Sequence, residues 1–362
     1  MDFAFSAEQD DFRQAVRTTL GDKAPSAYVR EMVEDPVGVT DELWATMADL
    51  GWLGVLVPES AGGLGLGLVD VVVLQEELGR LPFPGPVLSS AVAATLAAVR
   101  LGVDEILSGL AAGTTRATLA VEEPGHGDPL ASVQATAKPD GDGYVLSGTK
   151  PLVLDGARAD VALVVADDGD GLATFCLEEP AGAPVPGLDV TRKLARLVLD
   201  GRRARRVGPA GDQTALLRRV LDDVGVALSA ELVGTSEQAL SLAVEYAKVR
   251  VQFDRPIATF QAIKHKAAEM LHHLELARVG THYAAWASDT DAPDRERAAA
   301  MCKGYAGEAA VAVTSESIQI HGGVGFTWDV DCHLLYRRAK QDDLLFGSQG
   351  YQRQRLAGLL LD

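Results

Sequence analysis

The apolar pattern changes period twice along the chain, and that double switch limits the fold more than any other feature. Up to about Gly113, apolar residues recur at helical spacing. Ser6, followed by Glu8, Gln9 and Asp10, reads as an N-cap with acids in the first turn, and Phe5, Phe12, Val16 and Leu20 form the stripe behind it. Thr40-Asp41-Glu42 opens a second helix through Leu43, Met47 and Leu50, which Gly51 ends. Asp70 to Leu78 reads as a third, stopped by Gly79 and by Pro82, Pro84 and Pro86. Pro58 to Gly67 is a glycine-rich loop, and Val87 to Val99 is apolar enough to be buried helix.

From about Thr118 to Val207 the helical period vanishes. Short β-prone runs replace it: Ala117–Val121, Ser132–Ala137, Tyr144–Gly148, Val161–Ala166, Ala173–Leu177 and Ala195–Leu199. Turn clusters such as Asp140-Gly141-Asp142-Gly143 separate them, a spacing that suits a small barrel or sandwich rather than βαβ units. From about Asp212 long helical patterns return as Leu216–Ala247, Phe260–Ser288, Asp294–Ile320 and Leu334–Leu361, which read as a bundle. The expected architecture is an α+β multidomain chain. It has an N-terminal helical domain over 1–116, a middle β-barrel-like domain over 117–210 and a C-terminal four-helix bundle over 211–362.

Charge narrows the partners. With 51 Asp and Glu against 33 Lys and Arg, the net charge is −18. A nucleic-acid binder needs a basic face to displace counterions, and an anionic membrane repels such a chain. Cys176, Cys302 and Cys332 are far apart and sit in no Cys-x-x-Cys or metal-ligand spacing, so a reduced cytoplasmic protein without metal is expected. The start, Met-Asp-Phe-Ala-Phe-Ser, does not read as a signal peptide, and no apolar run is long enough to predict a membrane span.

Two segments carry chemistry. The first runs Tyr246-Ala-Lys-Val-Arg250-Val-Gln252-Phe253-Asp254-Arg255-Pro256 and on through Phe260-Gln261. An Arg and a Gln at a helix end beside aromatics can hold a phosphate or a flat ring; a plain helix corner with a solvated Arg has the same composition. The second is Ile318-Gln319-Ile320-His321-Gly322-Gly323-Val324-Gly325. Its glycines allow close backbone approach, and their amides can face an anion, although a helix C-cap would also explain them.

Together, on this architecture, the chain resembles the acyl-CoA dehydrogenase family of flavoproteins. The likeness is strongest from Leu232 to Lys340 and includes Tyr336-Arg337-Arg338-Ala339-Lys340, which is similar to the family's Tyr-Arg-Asp-Ala-Lys stretch. Gly51-Trp52-Leu53-Gly54, Gly62-Gly63 and Glu76-Glu77-Leu78-Gly79 also look like that family. The resemblance implies its three-domain fold, acyl-CoA substrate, FAD as cofactor and oligomeric assembly. It implies that Arg250, Gln252, Phe253, Phe260 and Gln261 reach the FAD pyrophosphate and adenine of a neighbouring subunit, and that Gln319, Gly322 and Gly323 contact the same nucleotide part.

The same resemblance exposes departures. The reaction needs a carboxylate to take the proton alpha to the thioester. Where many family members carry it in Tyr-Glu-Gly-Thr, this chain reads Leu345-Phe346-Gly347-Ser348; where another branch carries it, this chain has Val224. No catalytic residue is therefore assigned. Glu231, about 10 Å along the helix from Val224, and Asp343, one turn before Phe346 if the helix continues, are weak substitutes. Glu231 reads otherwise as a polar contact, and Asp342 and Asp343 as a solvated face. The family's flavin loop is reduced to Glu122-Glu123-Pro124-Gly125-His126-Gly127-Asp128, its Trp-containing segment reads Pro151-Leu152-Val153-Leu154-Asp155, and a family glycine is replaced by Asp254. This combination is similar to the base-lacking chain of actinobacterial α2β2 acyl-CoA dehydrogenases of steroid and lipid catabolism. The expected function is such a subunit, partnered with a second acyl-CoA dehydrogenase chain that supplies the base. The alternatives are a self-sufficient homo-oligomer with an unusual base, and a member of the fold that assembles or binds ligand without redox chemistry.

Overall fold

The structure, a computed structural model, describes residues 5–125 and 127–361. Four residues at the start of the chain, His126 of the Glu122–Asp128 loop and Asp362 lie outside the described residues.

The N-terminal part contains α1 (Ala7–Lys23), α2 (Ser26–Met32), α3 (Asp41–Asp49), α4 (Leu68–Arg80), α5 (Thr95–Leu101) and α6 (Leu107–Ala111). The caps sit where the sequence places them. Ser6 Oγ accepts from Gln9 N at 3.2 Å while Gln9 Oε1 accepts from Ser6 N at 3.0 Å, a reciprocal capping box. Thr40 Oγ1 caps α3 through Leu43 N. The apolar run from Val87 begins as a turn of π-helix over Val87–Ala94 and continues into α5, nearly all of it buried.

Gly79 does not stop α4; it lies inside the helix, which ends at Arg80. The glycine is there for contact. A Cβ on Gly79 would collide with the Glu231 carbonyl, and a Cβ on Gly234 with the Glu76 carbonyl. Thr235 Oγ1 donates to Gly79 O at 3.0 Å across the crossing. The helix ends instead at Leu81, held extended before Pro82.

The middle part is β1 (Ala117–Ala120), β2 (Thr136–Asp140), β3 (Gly143–Ser147), β4 (Thr149–Leu154), β5 (Val161–Asp167), β6 (Leu172–Glu178), β7 (Ala183–Val185), β8 (Leu194–Val198) and β9 (Arg202–Val207). The order β1-β5-β2-β3-β9-β6, with β6 pairing back onto β5, closes the sheet into a barrel-like ring; β4, β8 and β7 form a second, three-stranded sheet. Leu146, Val153, Val164, Phe175 and Leu197 fill the space between them. Strand β2 begins later than the sequence pattern indicates, and β4 and β9 carry no clear pattern at all. In β9 four of the six residues are Arg, and only Ala204 and Val207 are buried, so no apolar alternation marks it as a strand.

The C-terminal part contains α7 (Thr214–Val249), α8 (Gln261–Asp289), α9 (Arg295–His321), α10 (Cys332–Leu344) and α11 (Gln349–Leu361). The segment expected as one helix over Leu334–Leu361 is two. Lys303 Nζ donates to the carbonyls of Asp342 and Asp343, at 3.0 Å each, and caps the end of α10. Leu345 is then extended, and Phe346 and Gly347 take φ of +55° and +101°. One apolar core joins the N-terminal helices to α7, α8 and the start of α9, and it includes Phe346. Among the described residues no helix is long and apolar enough to cross a membrane.

Substituting Gly79→Ala or Gly234→Ala should destabilise the chain by about 1–3 kcal/mol or more, because two helix backbones must separate to admit one methyl group. Gly62, where a Cβ meets no neighbour, lies outside this crossing. Thermal and denaturant unfolding of the two crossing variants measures the effect.

Candidate functional site

The helix corner after α7 is a built feature. Arg250 is extended at the helix end, and β10 (Val251–Gln252) pairs with β11 (Arg255–Pro256) in a two-residue hairpin. Its central residues, Phe253 and Asp254, have φ of +52° and +61°. Such turns need positive φ at both positions. Asp254 takes a conformation that Asp tolerates; Phe253 tolerates it poorly, yet it is 86% exposed. Phe253 meets Phe260 edge to face at 6.1 Å, and the Arg255 guanidinium lies 4.2 Å over the Phe260 ring. Gln261 opens α8 and is exposed.

The glycine turn after α9 stands at the same end of the bundle, because Tyr246 of α7 stacks on His321 with centroids 4.4 Å apart. Gln319, Gly322 and Gly323 are exposed. Gly322 has φ +64° and ψ −145°, a conformation that needs glycine. A Cβ on either Gly322 or Gly323 would meet nothing within 4 Å, so the packing of this chain does not demand their small size. The structure thus gathers Arg250, Gln252, Phe253, Phe260, Gln261, Gln319, Gly322 and Gly323 onto one end of the molecule.

The weak base substitutes are elsewhere, and Glu231 is tied to other groups. Glu231 is buried, with Oε1 on the Arg338 guanidinium and Oε2 accepting from Arg192 at 2.6 Å. Burial alone would raise its pKa, but Arg192 and Arg338 outweigh that and hold it below the usual carboxylate range. Arg192 also grips Asp342 at 2.9 and 3.0 Å. Arg338, fully buried rather than a solvated charge, bonds Asp189, Thr191 Oγ1 at 2.6 Å and Phe83 O at 3.1 Å. Asp342 and Asp343 are buried as well, not a solvated face. Asp343 packs against Gly307 of α9, and since α10 ends at Leu344 it does not precede Phe346 on a continuing helix.

The cluster holds three carboxylates, Asp189, Glu231 and Asp342, against two guanidiniums, Arg192 and Arg338. One acid is in surplus. Asp342 carries the consequence: burial pushes its pKa up to about 6 against the pull of Arg192. Burial acts on Asp189 too, but there Arg338 prevails and its pKa is lowered.

At the position of the missing base, the Phe346 ring is buried, 4% exposed, in the main core. Its backbone N–H donates to Glu122 Oε1 at 2.7 Å. Glu122 follows β1 and is half-buried, and that burial raises its pKa. The adjacent Glu123 accepts from Lys150 Nζ at 2.6 Å, Gln134 N at 2.8 Å and Ala135 N at 3.1 Å. Lys150 is fully buried, which lowers its pKa to about 8 despite Glu123. Val224 is fully buried among apolar residues. The Glu122 contact escaped the sequence reading; its only trace there is a second acid directly after a buried strand. The segment after Lys150 completes β4 at Leu154, and the next residue, Asp155, accepts from Ser89 Oγ at 2.5 Å.

Sequence models of the acyl-CoA dehydrogenase N-terminal, middle and C-terminal domains match residues 6–106, 118–207 and 215–361. The chain is 31% identical to acyl-CoA dehydrogenase IpdE2 of Mycolicibacterium smegmatis, over 97% of this chain and 98% of that protein. The chain belongs to the acyl-CoA dehydrogenase family. Members of this family are flavoprotein oxidoreductases acting on CH–CH bonds, typically FAD-dependent, with roles in fatty acid and steroid catabolism. The chain is also 34% identical to acyl-CoA dehydrogenase FadE34 of Mycobacterium tuberculosis, over 98% of this chain but 47% of that longer protein. Among solved structures, the ChsE4–ChsE5 complex of Mycobacterium tuberculosis is 30% identical with a TM-score of 0.90, covering 100% of this chain and 99% of the matched one. A Tcur3481–Tcur3483 steroid acyl-CoA dehydrogenase is 32% identical with a TM-score of 0.89, covering 98% and 97%.

Breaking the buried cluster with Arg338→Met should destabilise by about 3–5 kcal/mol, since it strands Asp189 without a cation and leaves Glu231 with Arg192 alone. Asp342→Asn should be far milder and should change the pH profile. The folded pKa of Asp342 is raised, so its contribution is full at low pH and is lost as pH rises through about 6. The lowered pKa values of Asp189 and Glu231 act oppositely, and their contribution is lost as pH falls. Unfolding midpoints from pH 4 to pH 8 should therefore decline less steeply in the Asn variant than in the wild type.

Proposed function

We propose that this chain is the base-lacking subunit of a heteromeric, FAD-dependent acyl-CoA dehydrogenase that desaturates an acyl-CoA thioester between its alpha and beta carbons. One observation carries the reading. Both places where the family likeness puts the catalytic carboxylate hold buried apolar side chains, Phe346 and Val224, and the buried Glu231 on the same helix as Val224 is bound to Arg192 and Arg338. A phenyl ring and an isopropyl group accept no proton, so a partner chain supplies the base.

The exposed end of the bundle fits a nucleotide held between chains. FAD, when bound, takes the hydride from the beta carbon. This chain's part is to hold the nucleotide. Arg250 offers a cation to a phosphate, Gln252, Gln261 and Gln319 offer amides, and Phe253 and Phe260 offer faces for a flat ring. The turn at Gly322 and Gly323 leaves backbone open to an anion, with nothing of this chain in the way. The likeness to the ChsE4–ChsE5 complex supports a second acyl-CoA dehydrogenase chain as partner, and the likeness to the Tcur3481–Tcur3483 steroid acyl-CoA dehydrogenase supports a steroid acyl-CoA as substrate. The net charge of −18 does not oppose binding FAD or CoA, because their phosphates meet local cations and amides rather than the mean charge.

Purified alone, the chain should be colourless and should not reduce an electron acceptor with acyl-CoA; co-expressed with its partner it should be yellow and active. Arg250→Ala in the complex should weaken FAD binding about tenfold or more, the loss of one charge-assisted hydrogen bond, without dissociating the subunits. A yellow, acyl-CoA-reducible chain without a partner overturns the proposal.

A further inference from the structure

We propose that Glu122 closes this chain's own ring site from within, so that neither a flavin ring nor an acyl thioester is seated there; this rests on the half-site reading above and names the residue responsible. Glu122 and Phe346 lie on the two segments that the family likeness sets on either side of the reacting groups. Here they touch, Phe346 N donating to Glu122 Oε1 at 2.7 Å. A ligand entering between them must break that bond and displace a carboxylate into a half-buried space.

The contact is held from both sides. On the strand side, Lys150 Nζ donates to Val121 O at 3.1 Å and to Glu123 Oε1 at 2.6 Å, so the residues flanking Glu122 share one buried anchor. Glu123 is further tied to Gln134 N and Ala135 N, and Lys150 is fully buried, so the end of β1 cannot swing away without opening all of these bonds. On the helix side, Lys303 holds the carbonyls of Asp342 and Asp343, and Leu345 N still reaches Gln341 O at 3.2 Å. Phe346 N is the next N–H along. The extended Leu345 and the positive φ of Phe346 turn it out of the helical ladder, and Glu122 is its acceptor. The Phe346 ring is packed in the core, which leaves the residue no second arrangement at low cost. An ordinary solvated acid would not be arranged so. Glu122 plays the part of a bound polar ligand, supplied by the chain itself.

Three versions of the chain separate this from its alternatives: wild type, Glu122→Ala and Glu122→Gln. Binding of FAD is followed by quenching of its fluorescence, and binding of octanoyl-CoA by calorimetry. Glu122→Ala opens the site and should tighten binding of FAD, octanoyl-CoA or both by about tenfold or more. Glu122→Gln keeps an oxygen on Phe346 N and should bind as weakly as wild type. Exchange of the Phe346 amide, read by mass spectrometry, should quicken in the Ala variant and stay slow in the Gln variant, which shows directly whether the contact exists in a folded chain. If Ala brings no gain in either ligand, or if Gln gains as much as Ala, closure by Glu122 is wrong; the second outcome makes simple charge repulsion the cause. An equally protected Phe346 amide in all three also overturns it. These results leave the half-site reading standing, whereas a wild-type chain that already binds FAD and is reduced by acyl-CoA overturns that reading itself.

Discussion

Two guanidiniums and three carboxylates, all withdrawn from water, sit where the three parts of the chain meet. Arg338 and Asp342 come from α10, Glu231 from α7, Asp189 and Arg192 from the segment before β8, and the Phe83 carbonyl from the N-terminal part. A buried ion cluster of this kind adds little net stability over an apolar core, since desolvation offsets attraction, but losing one member is expensive. The docking of the barrel against the helices brings each of these charges to a partner. Glu231 also belongs to the crossing of α4 and α7, where its carbonyl lies against Gly79. The docking of the barrel, the helix crossing and the placement of α10 therefore share one residue.

From that frame the molecule divides into a sealed side and an open one. Where the family likeness places the reacting groups, the cluster fixes α10, Lys303 ends it, and Phe346 falls into the core with its amide on Glu122. At the far end of the bundle, a strained hairpin holds Phe253 out in solvent, and a glycine turn leaves its backbone bare. A folded chain seldom keeps a large aromatic ring 86% exposed at an unfavourable φ without a use for it. The same bundle helices connect the two ends, so a chain can give up chemistry at one and keep binding at the other.

Local signals were legible wherever one residue and its immediate neighbours decide the outcome. The caps at Ser6 and Thr40, the glycine stop at Gly51 and the two changes of pattern all follow from backbone geometry and periodicity. Signals failed where side chains answer to partners distant in sequence. Gly79 reads as a helix stop but is a point of contact with α7, more than 150 residues away. Strand β9 carries no clear strand pattern, since the pairing with β3 and β6 that makes it a strand is non-local. Asp342 and Asp343 read as solvated, because acids are seldom buried without a partner, and the groups that meet them, Arg192 at the Asp342 carboxylate and Lys303 at both backbone carbonyls, are supplied by other segments.

What the sequence alone determined is the order of three domains, the family, and the lack of a carboxylate at Phe346 and Val224, for identity at a position needs no coordinates. What only the tertiary structure decided is where the remaining charges are spent. It ties Glu231 to two arginines and sets Glu122 on the amide of Phe346. It also gathers the hairpin and the glycine turn at one end through Tyr246 and His321. A carboxylate is a base, a structural ion or a plug according to what lies within hydrogen-bonding distance, and that distance is set by packing between segments far apart in the chain.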